Sequence, residues 1–143
     1  MGETTANYEE KQLRDGSMPI PQELIDLLKE RELEVKKRKG RIIAAHSELP
    51  VSLIVRLSGS TAIIELEAGE ELEDVMSDLV ESGEDLESIV EDVLSEMRDI
   101  AVDVSRLLSD KGFKVELRLR EGENDVRDAM EEIIEEYAES EEE

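Results

Sequence analysis

The side chains in this chain that could do chemistry fall into four sets. The first is Lys36, Lys37, Arg38, Lys39 and Arg41, five cations in six residues with only Gly40 between them. A run of this kind neutralises phosphates, so it is a candidate contact for nucleic acid or a phosphate group. The same run also reads as a solvated turn that pairs with carboxylates of this chain or of another.

The second set is acidic. Glu131, Glu132, Glu135 and Glu136 lie at i, i+3 and i+4 spacing, and Glu70, Glu71, Glu73, Asp74 and Asp78 form a similar row upstream. Two helices carrying such rows can hold magnesium or manganese between them, as a metal-dependent hydrolase would. Against this, a chain with 40 acidic residues shows that spacing on any solvated helix face. The acids also alternate with apolar residues that must point inward, which turns the carboxylates out. The third set is His46 alone, placed at the end of a strand before a turn. It lacks the serine and acid of a triad, and a structural or surface role is expected. The fourth is Arg118 and Arg120, which share one strand face with Lys114 and Glu116 and read either as an anion site or as a half-exposed strand. Gly59-Ser60-Thr61 is too short to cradle a phosphate and reads as a hairpin. No catalytic residue and no metal site is assigned, and no cofactor is implied.

Composition narrows the chemistry further. There is no Cys, which removes disulfides, thiolate metal sites and Cys nucleophiles. One His excludes a two-His zinc site. Tyr8, Tyr137 and Phe113 are the only aromatic residues, so base-stacking platforms are lacking and the core must be aliphatic. The net charge is -23, and it is unevenly placed. Residues 1–41 hold nine basic and nine acidic residues, whereas 42–143 hold eight basic and 31 acidic. That body repels phosphate backbones and anionic membranes and attracts a basic protein. The amide-poor, charge-rich composition resembles thermophile usage, with a halophile as the competing reading. Neither a leader peptide nor a run long enough to span a bilayer is evident, and a cytoplasmic location is expected.

These groups must be positioned by elements that the hydrophobic spacing predicts. Residues 1–18 read as a polar, disordered tail, 19–139 as one domain, and 140–143 as an acidic frayed end. A helix over 21–31, through Leu24, Ile25, Leu27 and Leu28, is followed by a short strand at 33–37, with one longer helix as the alternative. Gly40 then turns the chain into Ile42-Ile43-Ala44-Ala45. Val51, Leu53, Val55 and Leu57 alternate with Ser52, Ile54, Arg56 and Ser58, a half-buried strand. Gly59-Ser60 turns it back through Ala62, Ile64 and Leu66. A helix over 69–81 precedes a break at Ser82–Asp85. From Leu86 to Leu108 apolar residues recur at an eleven-residue period, the mark of a nearly straight long helix at about 84–110. Phe113, Val115, Leu117 and Leu119 make another strand, Glu121-Gly122 a turn, and Asn124 or Asp125 opens the last helix. The fold class expected is α+β, a mainly antiparallel sheet of four to five strands with helices packed on one face.

The long helix would measure roughly 40 Å, against a diameter of roughly 35 Å for a domain of this size. Its stripe would therefore outrun the sheet. The neighbouring helices or a second copy must cover Leu86, Val90 and Met97, and a homodimer through that stripe is the expectation. The functional expectation is a non-enzymatic protein–protein interaction module: an adaptor, a chaperone-like protein or a regulatory subunit. Its contacts would be the acidic helix faces, the basic turn and the helix stripe. The rival readings are an acidic binder of basic or nucleic-acid-binding proteins, phosphate or nucleic-acid binding through Lys36–Arg41, and a carboxylate-metal hydrolase. Nucleic acid is disfavoured by the acidic body, and a membrane partner is not expected.

Overall fold

Period-two alternation and glycine turns build the sheet. In the computed structural model, which describes residues 20–142, α1 (Gln22–Glu30) leads into β1 (Glu34–Arg38) and β2 (Arg41–Ala45). Next come β3 (Val51–Ser58), β4 (Thr61–Ala68), α2 (Leu72–Glu81), α3 (Leu86–Asp110), β5 (Lys114–Arg118) and α4 (Arg120–Glu142). The strands lie side by side in sequence order. β1 to β4 form an antiparallel meander and β5 runs parallel to β4. Antiparallel neighbours need only a tight turn, and Lys39-Gly40 supplies one between the paired Arg38 and Arg41, with Gly40 at φ +71°. The parallel step requires a long crossover, which α2 and α3 provide. This is the α+β arrangement expected, with all helices on one face of a mostly antiparallel sheet.

One aliphatic core lies between the layers. Ile42, Ala44, Leu53, Val55, Ile64 and Leu66 point up from the sheet to meet Leu24 and Leu28 of α1, Met76 of α2, the α3 stripe and Val126 of α4. Among the described residues no helix is long and apolar enough to cross a membrane.

Three expectations change. Leu86, Val90 and Met97 are buried within the chain itself, as is the α3 stripe as far as Leu108. The helix lies against β4 and β5 and is flanked by α1, α2 and α4, which cover what the sheet leaves open. The need for a second copy over that stripe disappears, and with it the contact role of these three residues. The last helix starts at Arg120, four residues before Asn124, and Glu121-Gly122 is its first turn rather than a loop. The reason is packing. A Cβ on residue 122 would sit 1.9 Å from the Leu66 carbonyl oxygen, so the glycine is there to let the helix touch β4. Arg120 accordingly leaves the strand face it was expected to share with Arg118. The same helix continues through Glu142, across most of the expected frayed end. The expected tail at 1–18 lies outside the described residues, as does Glu143.

Candidate functional site

The face of the sheet turned away from the helices is covered by none of the described helices. Its residues follow from strand register, because paired residues share a face. One row across all five strands reads Lys36, Ile43, Ile54, Glu65, Arg118. The next reads Arg38, Arg41, Arg56, Ile63, Glu116. A third, shorter row reads Glu34, Ala45, Ser52, Glu67. Three isoleucines therefore sit at the centre of a face that a merely solvated sheet would fill with polar residues. Ile54 is only 2% exposed yet stands apart from the main core.

Charge on this face differs from the rest of the molecule. With Lys114 opposite Thr61, the face presents Lys36, Arg38, Arg41, Arg56, Lys114 and Arg118 against four carboxylates, Glu34, Glu65, Glu67 and Glu116. It is a mildly positive patch on a chain whose net charge is -23. Arg56 is 3.5 Å from Glu65, and Arg118 is 3.0 Å from Glu116. The carboxylate beside Arg118 holds its guanidinium above the ordinary range. Among the described residues no ion pair involves Lys36, Lys37, Arg38, Lys39 or Arg41. The five-cation run thus becomes a hairpin with its charges divided. Lys36, Arg38 and Arg41 join the open face, Lys37 lies on the other side, and Lys39 sits in the turn.

The helix layer carries the acidic rows. Glu73 of α2 faces Glu132 and Glu136 of α4. Repulsion by Glu132, then desolvation, raises the Glu73 carboxyl above its ordinary value. Part of the two rows thus meets across one helix pair, while Glu131 and Glu135 point to solvent. Among the described residues no group of three or more His, Asp or Glu is arranged to hold a metal ion. Tyr137 closes the same helix pair, its hydroxyl donating to the Ser77 carbonyl at 3.2 Å. Desolvation there pushes the phenol upward.

His46 is a structural group. Its side chain is 4% exposed, and its Nδ1 accepts the Glu48 N–H at 3.0 Å. The proton therefore sits on Nε2, which donates to Glu96 of α3 at 3.1 Å. The imidazole pins the β2–β3 loop to the long helix. Arg118 and Arg120, expected together on a strand, instead flank an open cleft of about 460 Å³ lined also by Glu65, Leu66 and Glu121. Opposite charges alternate around that cleft, which gives it no single ligand preference.

Sequence reasoning missed Arg56 and the isoleucines as site residues. A signal was present in the strand alternation: Ile54 and Ile63 occupy positions where polar residues belong. No family model, curated protein or solved structure matches the chain.

Proposed function

We propose that this protein is a non-enzymatic protein–protein interaction module, an adaptor, chaperone-like protein or regulatory subunit, which docks its partner on the open face of the sheet. The observation that supports the reading is the pair Ile43 and Ile63, half-buried around the buried Ile54 at the centre of that face, framed by charge and covered by none of the described helices. An apolar centre with a charged rim is the general anatomy of a docking surface. A partner seated there gains apolar burial over the exposed parts of Ile43 and Ile63 and orientation from the rim. A second copy of the chain would meet the same face, since the α3 stripe is already covered.

The test is affinity capture from the native organism's extract, with and without nuclease and at low and high salt. The baits are the natural chain, Ile43→Glu with Ile63→Glu, and Val102→Glu as a control on the exposed side of α3. A stoichiometric, nuclease-resistant protein that binds the natural chain and the control but not the sheet-face variant is expected. A partner that ignores the sheet-face change, or recovery of nuclease-sensitive material alone, overturns the reading.

A further inference from the structure

Arg38, Arg41 and Arg56 are direct cross-strand neighbours on β1, β2 and β3. Paired Cα atoms in an antiparallel ladder lie roughly 4.5–5.5 Å apart, so three arginine side chains leave one face of the sheet from adjacent positions, the Arg38 guanidinium donating to the Lys37 carbonyl at 3.1 Å. Like charges directly opposite each other weaken strand pairing, and stability alone would not place three in a row. Among the described residues, only Arg56 of the three is paired with a carboxylate, Glu65 at 3.5 Å. Of the other charged groups on this face, Lys36 adds a fourth cation one row away, Glu34 and Glu67 lie two rows away, Lys114 stands opposite Thr61 on β5, and Glu116, beyond Ile63, is held by Arg118 at 3.0 Å.

We propose that this row is a binding site for a phosphate-type oxyanion. Three arginines less the charge of Glu65 leave two positive charges, which matches a phosphate group at neutral pH, about -1.5 to -2. Arginine at all three positions, in place of lysine, suits the bidentate hydrogen bonding that planar guanidinium offers to phosphate oxygens. A compact phosphate is favoured over a nucleic-acid strand. Any strand running beyond the row meets a body carrying the whole -23, and the chain offers three aromatic residues in all for stacking. The phosphate could be free, on a small molecule, or on a phosphorylated side chain of a partner. The proposal is independent of the interaction reading, because either can fail while the other stands.

Thermal unfolding of the full chain is followed in inorganic phosphate, in sodium chloride of matched ionic strength, with a phosphoserine peptide and its unphosphorylated twin, and with a single-stranded oligonucleotide. A saturable rise of the midpoint in phosphate over chloride is expected. Arg38→Gln and Arg41→Gln should each weaken the apparent Kd roughly tenfold or more. Without ligand, both variants should melt at or above the natural midpoint, because repulsion within the row is relieved; a folding defect is thereby separated from a binding defect. Arginine-dependent binding of the phosphopeptide tighter than that of free phosphate assigns the source to a phosphorylated partner. Equal or weaker binding of the peptide assigns it to a small anion. The proposal is overturned by an equal midpoint in chloride, by a phosphate shift that survives both substitutions, or by oligonucleotide binding tighter than either phosphate source.

Discussion

Gly122→Ala tests the correction that matters most to the packing of the helix layer. A methyl group at this position would lie 1.9 Å from the Leu66 carbonyl oxygen, 2.4 Å from its carbon and 2.8 Å from the Leu66 Cβ. Backbone cannot swing aside as a flexible side-chain tip can, so the first turn of α4 must retreat from β4 by something over 1 Å. That retreat opens a gap under Val126 and Met130, both buried in the core. A radial gap of 0.5–1 Å forfeits a quarter to a half of contact energy, and each such side chain is worth about 1.5–3 kcal/mol when buried. The loss is then about 1–3 kcal/mol, with overpacking strain adding about 1–3 kcal/mol. Replacing an interior helical glycine by alanine returns about 1 kcal/mol of helix propensity. The net expectation is a destabilisation of about 3 kcal/mol, read as a lower urea midpoint at unchanged slope. If α4 began at Asn124 and Gly122 sat in a free turn, the substitution would cost little. An equal or higher midpoint for Gly122→Ala would refute the close approach of α4 to β4.

Other substitutions probe the remaining elements. Glu73→Gln should raise the thermal midpoint at pH 7. The Glu73 carboxyl is raised in the folded state, so the folded chain holds its proton more tightly and stability falls as pH rises from the ordinary glutamate value through the folded one. The advantage of glutamine should therefore vanish on acidification below the ordinary value and shrink in high salt; a constant advantage across pH would remove the carboxylate pair as its cause. Glu32, just past α1, has φ +62°, and left-handed backbone costs a non-glycine residue about 1–2 kcal/mol. Glu32→Gly should recover about 1 kcal/mol in urea melts. Sodium chloride should raise the midpoint of the natural chain. Screening relieves the repulsion of a -23 chain, whereas the exposed pairs that it weakens, such as Lys111 with Glu23 and Arg127 with Glu91, contribute about 0–1 kcal/mol each. A falling midpoint would show that ion pairs outweigh repulsion.

Much of this architecture was legible because local spacing and tertiary burial agree. β3 and β4 alternate as half-buried strands, and Gly40 and Gly59-Ser60 mark the hairpin turns. The eleven-residue period of α3 persists from Leu86 to Leu108 because one side of that helix is buried throughout. What escaped lies between elements. Gly122 reads as a turn in sequence, since nothing local says that Leu66, 56 residues earlier, will press against it. Leu86, Val90 and Met97 read as uncovered because a length argument treats the domain as a sphere. Here α1, α2 and α4 are spread along the long helix. The arginine row was legible only in part. Arg38 and Arg41 belong to the basic run, but Arg56 joins them through a register that the sequence does not state.

The charge pattern gains meaning once the layers are known. The even balance of residues 1–41 includes the whole β1–β2 hairpin turn, and β3 adds Arg56 to it on the same face. The acids concentrate on α2, α3 and α4, across the sheet from those arginines. Segregation of this kind polarises the molecule. At physiological ionic strength screening acts over about 8 Å, while a helix layer and a sheet are each about 10 Å thick. The arginines and the helix acids face solvent on opposite sides of the molecule, so their interaction through the surrounding salt solution is weak. An anion at the centre of the arginine row feels the row, whereas a long polyanion also meets the flanks of the helix layer. The same geometry gives a protein of high negative charge one surface that would not repel an acidic or phosphorylated partner, with the exposed parts of Ile43 and Ile63 beside it for apolar contact.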